Sequence, residues 1–321
     1  MPSFLLESTV SGPGIRADMS ADSNAYTIVG FFTYQLSTDS VAIFGIADQQ
    51  GVTVLGNVVS LNSAAVVLRG AGGSVTIGTA GTVSSNSTGV AAVRMLSDAS
   101  RVNNAGWISG GTGVALEGSG NIVNSGTISG TGTACNNDVE APAGITLSLP
   151  TPGVMQIANT GLIEGAYQVF SALYADQRFA IWETRGQDNT ITIDNAGTLS
   201  GNVDLQGGAA TLRHTGTIMG EVRLGEGADV LTNGGTITQD VNFGAGVDGD
   251  RLDNTGTLLR NVLMGDGADT VVAGGTIAGD RGMTGCRAMR GWIRCMAGRT
   301  WTRCLAGMPR TRYMAGMAAT R

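Results

Sequence analysis

A glycine returns along this chain at a nearly fixed interval, and that interval limits what the chain can fold into more than any other feature. In the clearest stretch the glycines are Gly197, Gly216, Gly235, Gly256 and Gly275, at steps of 19, 19, 21 and 19 residues. They belong to an Asn-x-Gly-Thr-Ile/Leu theme that also occurs as Asn104-Ala-Gly-Trp-Ile108, Asn124-Ser-Gly-Thr-Ile128, Asn159-Thr-Gly-Leu-Ile163 and Asn195-Ala-Gly-Thr-Leu199. His214, Asn233, Asn254 and Ala273 occupy the asparagine position of the later units. A unit this short cannot bury an apolar face alone, so it must stack on its neighbours.

The apolar residues keep time with the glycine. Four residues before it stand Ile193, Leu212, Leu231, Leu252 and Val271, and two after it stand Leu199, Ile218, Ile237, Leu258 and Ile277. Six and eight after it come Val203 and Leu205, Val222 and Leu224, Val241 and Phe243, then Val262 and Met264. Even spacing is the signature of short strands with one buried face. The expected fold is therefore all-β: a β-solenoid, parallel β-helix or β-roll-like, with coils of about 19–21 residues. Composition agrees, with 51 glycines and only 5% aromatic residues. The repeated asparagine reads as a ladder whose amide bonds the coils above and below. His214 is the only histidine, which leaves no material for a histidine base, a triad or a zinc cluster.

The repeat divides the chain. Residues 1–60 read as an N-terminal cap with irregular first coils, and 61–280 as the solenoid. Between Gly126 and Gly161, and again between Gly161 and Gly197, the step opens to 35 and 36 residues, which predicts insertions near 131–155 and 166–190. The second is aromatic, with Phe170, Tyr174, Phe179 and Trp182. From Arg281 the text changes: residues 281–321 hold nine arginines and no acid. The first 280 hold ten arginines and all 25 acids, so the formal charge is 10 − 25 = −15 before the boundary and +9 after it. Such an acidic, lysine-free body argues against a nucleic-acid groove and favours cations as partners. No window is apolar enough for a membrane span, and Met1 to Ser11 lack the pattern of a cleaved leader.

Three turns carry a more specific pattern. They read Leu224-Gly-Glu-Gly-Ala-Asp-Val-Leu231, Phe243-Gly-Ala-Gly-Val-Asp248 and Met264-Gly-Asp-Gly-Ala-Asp-Thr-Val271. These resemble the haemolysin-type RTX nonapeptide, Gly-Gly-x-Gly-x-Asp-x-Leu-x, with an aliphatic residue in place of the first glycine. The resemblance implies calcium bound at the turns, with Asp229, Asp248 and Asp269 as ligands and Gly227, Gly246 and Gly267 shaping the backbone. The steps of 19 and 21 residues depart from that family's eighteen-residue coil. The tail keeps a nine-residue beat, with Cys286, Cys295, Cys304 and Tyr313 nine apart, which also resembles such arrays. A shift of reading frame near Asp280 would restore Gly-Asp text there, so residues 281–321 as translated are expected to be disordered.

The resemblance further implies a secreted calcium-binding repeat protein of a Gram-negative bacterium. It would lie outside the cell or at its surface, exported by type I secretion without a cleaved N-terminal signal. The alternative is an autotransporter-like passenger or adhesin fragment, because the Asn-x-Gly-Thr-Ile coils are also similar to those passengers; its partners would be cell-surface or host ligands. An enzyme is not expected: Asp194, Asp204, Glu221 and Asp240 are scattered in sequence, with no histidine or lysine to accompany them.

Overall fold

The computed structural model describes residues 3–6, 9–19, 26–30, 34–132, 142–149, 152–166, 178–184, 188–278, 286–297 and 305–306. Among these there is no helix, and the strand pairings are parallel. The chain is a β-solenoid. Each coil lays down three short strands, and equivalent strands of successive coils pair into three ladders. One coil shows the plan: Thr190–Asn195 in the first ladder, Thr198–Ser200 in the second, Asn202–Asp204 in the third, and then a turn into Ala210–His214, which pairs back on Thr190–Asn195.

The register is the one the apolar pattern demands. Ile193 pairs with Leu212, Leu212 with Leu231, Leu231 with Leu252 and Leu252 with Val271. Leu199, Ile218, Ile237, Leu258 and Ile277 form the second ladder's column, and Val203, Val222, Val241 and Val262 the third's. Apart from half-buried Ile277 these side chains are essentially sealed from solvent, so each aliphatic residue packs between its counterparts one coil away.

The turn glycine has a steric cause. A Cβ on Gly216 would fall on the carbonyl oxygen of Gly197, and the same clash repeats at Gly235, Gly256 and Gly275 against the glycine one coil earlier. These turns stack backbone on backbone, and only glycine lets them approach. In the first ladder the preceding asparagine carries the polar ladder. Asn104 Nδ2 donates to Asn124 Oδ1 (2.8 Å), Asn124 to Asn159 (2.8 Å) and Asn159 to Asn195 (2.7 Å), all buried.

Coil length varies along the solenoid. From Asn195 to Ala273 the register steps are the expected 19–21 residues, whereas Val54 to Ile77 is 23 and Ile77 to Asn104 is 27. The additional residues of these early coils sit largely at the corner between the second and third ladders, residues 61–65 and 86–90, where later coils turn on a single glycine such as Gly201. Strands within the first sixty residues share the same ladders: Ser3–Leu6 pairs with Tyr26–Val29, and that strand with Gly51–Val54.

Inside the two predicted insertions, Ala143–Leu147 and Phe179–Glu183 are third-ladder strands, with Ile145 paired to Ile181. Phe179 is a core residue stacked on Trp182 at 5.2 Å. Cys135, Phe170 and Tyr174 lie outside the described residues. At the C-terminal end Val262–Ala273 is one twelve-residue strand that joins the first and third ladders, and Cys286–Ala297 pairs along it. No helix among the described residues is long and apolar enough to cross a membrane.

Candidate functional site

The acidic turns lie where the third ladder leads back into the first. Two residues before each core position Leu231, Leu252 and Val271 stands an aspartate: Asp229, Asp250 and Asp269. Pairing of Val230 with Arg251 and of Arg251 with Thr270 puts these three in one column across consecutive coils. All three are buried. Each uses one carboxylate oxygen to hold the coil before it: Ala210 N–H donates to Asp229 Oδ1 (2.8 Å), Asp229 N–H to Asp250 Oδ1 (2.9 Å) and Asp250 N–H to Asp269 Oδ1 (3.1 Å).

The other oxygens are different. Asp229 Oδ2 and Asp269 Oδ2 are buried with no hydrogen-bond partner, as is Asp266 Oδ1 beside them. Burial first, and then the negative charges of Asp250, Glu226 and Asp248, push the Asp229 carboxyl up to about 8, although the Ala210 N–H opposes this. Asp250 is pushed up to about 7 by burial and by the charges of Asp269 and Asp248. Asp269 is raised by burial and by Asp266. Arg251, on the same strand as the column, is turned to the outer face and bonds Asp253 (2.8 Å). A second buried acid, Glu183, shows what satisfaction looks like: Asn189 donates to Oε1, and Gln206 N–H to Oε2 at 3.1 Å.

The predicted turn residues divide accordingly. Asp229 and Asp269 enter the column, whereas Asp248 stands exposed on its turn and Asp250 takes the place in register. Gly227 and Gly267 have φ of 105° and 139°, where glycine alone is at ease, but Gly246 does not share that conformation. The signal for Asp250 lay in the sequence. The coil around it is two residues longer, so counting forward from the glycines reaches Asp248, whereas counting back from core Leu252 reaches Asp250. No sequence pattern pointed to Glu183.

The donor chemistry of the column suits a hard dication: carboxylate oxygens only, two of them buried and unpaired, with no cation beside them. The column is linear, however, and among the described residues no three His, Cys, Asp or Glu side chains converge as a finished metal site.

The scattered carboxylates are tied into the scaffold. Arg223 bonds Glu221 (2.6 Å) and Asp204 (3.2 Å), Arg213 bonds Asp194 (3.2 Å), and Asp240 accepts the Asn261 N–H (2.9 Å). A polar groove of about 320 Å³ opens between Arg178, Asn202, Glu221 and Asp240, and its two carboxylates are the ones already held by Arg223 and Asn261. Comparison with family models, with curated proteins and with solved structures finds no match for this chain.

Proposed function

We propose that this β-solenoid is a structural repeat protein of the cell exterior whose last coils are stabilised by calcium, in the manner of RTX-like proteins. The observation that carries the reading is the aspartate column. Three buried carboxylates in consecutive coils, with unpaired oxygens at Asp229 and Asp269 and no counter-charge, form an arrangement that costs folding energy unless protons or a cation occupy it. Asp229, Asp250 and Asp269 would hold the ion. Calcium bound only by the folded coils would add about 2.7 kcal/mol at one hundred times its Kd.

Calcium titration of the chelator-treated full chain, followed by thermal unfolding, tests this. The expected result is a calcium-dependent rise in unfolding temperature that Asp250→Asn abolishes and Asp248→Asn leaves largely intact. No response to calcium, or equal responses in the two variants, overturns the reading.

A second reading, a passenger-like adhesive scaffold, is favoured by the buried asparagine ladder, which ties coils together without any ligand. It predicts a solenoid indifferent to calcium.

A further inference from the structure

The second ladder presents an outer face unlike the rest of this acidic molecule. Thr198, Thr217, Thr236, Thr257 and Thr276 stand in register on five consecutive coils. Earlier rungs of the same rank are Thr82, Trp107, Thr127 and Leu162. Across the segments 80–85, 105–110, 125–130, 160–165, 196–201, 215–220, 234–239, 255–260 and 274–278 that build this face, Glu164 and Arg260 are the charged residues. The first and third ladders carry charge freely on their outer sides, as in the Arg213–Asp194, Arg251–Asp253 and Arg223–Asp204 pairs.

This sparsely charged face also gathers exposed apolar side chains. Trp107 is 51% exposed, Met219 50% and Leu259 45%; all three lie on it, Met219 at the edge where the groove of Arg178, Glu221 and Asp240 begins. Large apolar groups held in water on a strip so poor in charge mark a contact surface.

We propose that this face is where two copies of the chain pack against each other. The charge balance selects the occupant. With a formal charge of −15 over residues 1–280, two copies repel through any strongly charged side, and the second-ladder face is the side on which they can touch while bringing the fewest like charges together. The area is adequate. Nine rungs span eight steps of about 4.8 Å, roughly 38 Å, and five residues of extended chain span roughly 16 Å, so each copy offers about 600 Å². Two copies bury about 1,200 Å², the lower end of stable interfaces, so the dimer is concentration-dependent. A regular strip of repeating rungs is readily self-complementary about a twofold axis.

Sedimentation velocity of the full chain over a range of concentrations, at low and high salt, tests this. The expected result is a monomer–dimer equilibrium that survives or strengthens in high salt, because salt screens the acidic repulsion. Thr236→Glu, present twice in the dimer, weakens it at least about tenfold. Thr232→Glu, on the exposed outer side of the first ladder two residues after Val230, leaves it unchanged and controls for added charge. Circular dichroism of each variant checks that the solenoid is intact. A monomer at all concentrations overturns the proposal, as does a dimer equally sensitive to both substitutions. Association that dissolves in salt and ignores Thr236→Glu also overturns it, and assigns the contact to the arginines of 281–321 on acidic turns.

Discussion

Asn159 receives an amide proton from Asn124 and gives one to Asn195, so one side chain binds three coils. Replacing it with alanine strands its buried partners and is expected to cost about 1–3 kcal/mol, read as a lowered unfolding temperature. His214 is the weak rung of this ladder. Its Nδ1 accepts from Asn195 (3.0 Å) and its Nε2–H donates to the Thr236 carbonyl (3.2 Å), which fixes a neutral tautomer; no side-chain bond runs from it to Asn233. Burial, the largest influence, lowers its pKa below 6.5. A base whose folded pKa is depressed lends stability that is full above the unfolded pKa and is lost as pH falls through the folded one. His214→Asn would reconnect the ladder. It is expected to gain about 0.5–1.5 kcal/mol and to flatten the acid limb of a stability profile. The aspartate column has the opposite sign. Its folded pKa values are raised, so in calcium-free protein its contribution is present at low pH and is lost as pH rises through about 7 to 8. Thermal unfolding by circular dichroism from about pH 5 to about pH 9, with and without Asp229→Asn, checks this: the variant should show a smaller alkaline fall, the part left belonging to Asp250 and Asp269, and should keep the acid one.

A coil touches only the coils before and after it, so damage should stay local. Leu231→Ala removes a sealed side chain between Leu212 and Leu252 and is expected to cost about 2–5 kcal/mol. Hydrogen exchange should then quicken in the strands at 210–214, 230–233 and 251–254, while Ser74–Ile77 keeps its protection. Uniform acceleration would show that the solenoid melts as a single unit. The same one-dimensional design explains what could be read from sequence. Every core column from Ile193 to Val271 was legible, because inward positions repeat at even spacing and stacking demands the same residue class in each coil. The turn glycine was legible as a position but not as a cause, since contact with the glycine one coil earlier is invisible in a single repeat. Asp250 was missed because a turn pattern counted from its glycines ignores a two-residue insertion, which the strand register absorbs. The strands Ala143–Leu147 and Phe179–Glu183 were hidden within long steps, where the glycine beat gives no position for a third-ladder strand.

On the scale of the whole molecule, charge is the quantity the repeat does not balance. Ten arginines face 25 acids before residue 281, and several are already spent in pairs such as Arg94–Glu117, Arg223–Asp204 and Arg251–Asp253. The more exposed of them, such as Arg251–Asp253, contribute little in water. The acids of the last turns are stacked coil upon coil, as Asp229, Asp250 and Asp269 are, so like charges recur there at roughly the 4.8 Å strand spacing, well inside the Debye length of about 10 Å at 0.1 M salt. Folding therefore gathers like charges that the unfolded chain keeps apart. Two remedies are open to it, and they have different signatures. General screening acts on every acidic turn and depends only on ionic strength, whereas an ion held by Asp229, Asp250 and Asp269 acts on one end and depends on chemistry. Raising sodium chloride from about 0.01 M to about 1 M shortens the Debye length from roughly 30 Å to roughly 3 Å and should raise the unfolding temperature of wild type and Asp250→Asn alike, by roughly 2–4 °C per kcal/mol gained. Millimolar calcium at fixed ionic strength should raise it further in wild type only, and magnesium, which gives up its waters reluctantly, should do less. If sodium chloride reproduced the whole calcium effect, the column would be one acidic turn among many and its buried carboxylates would be held by protons alone.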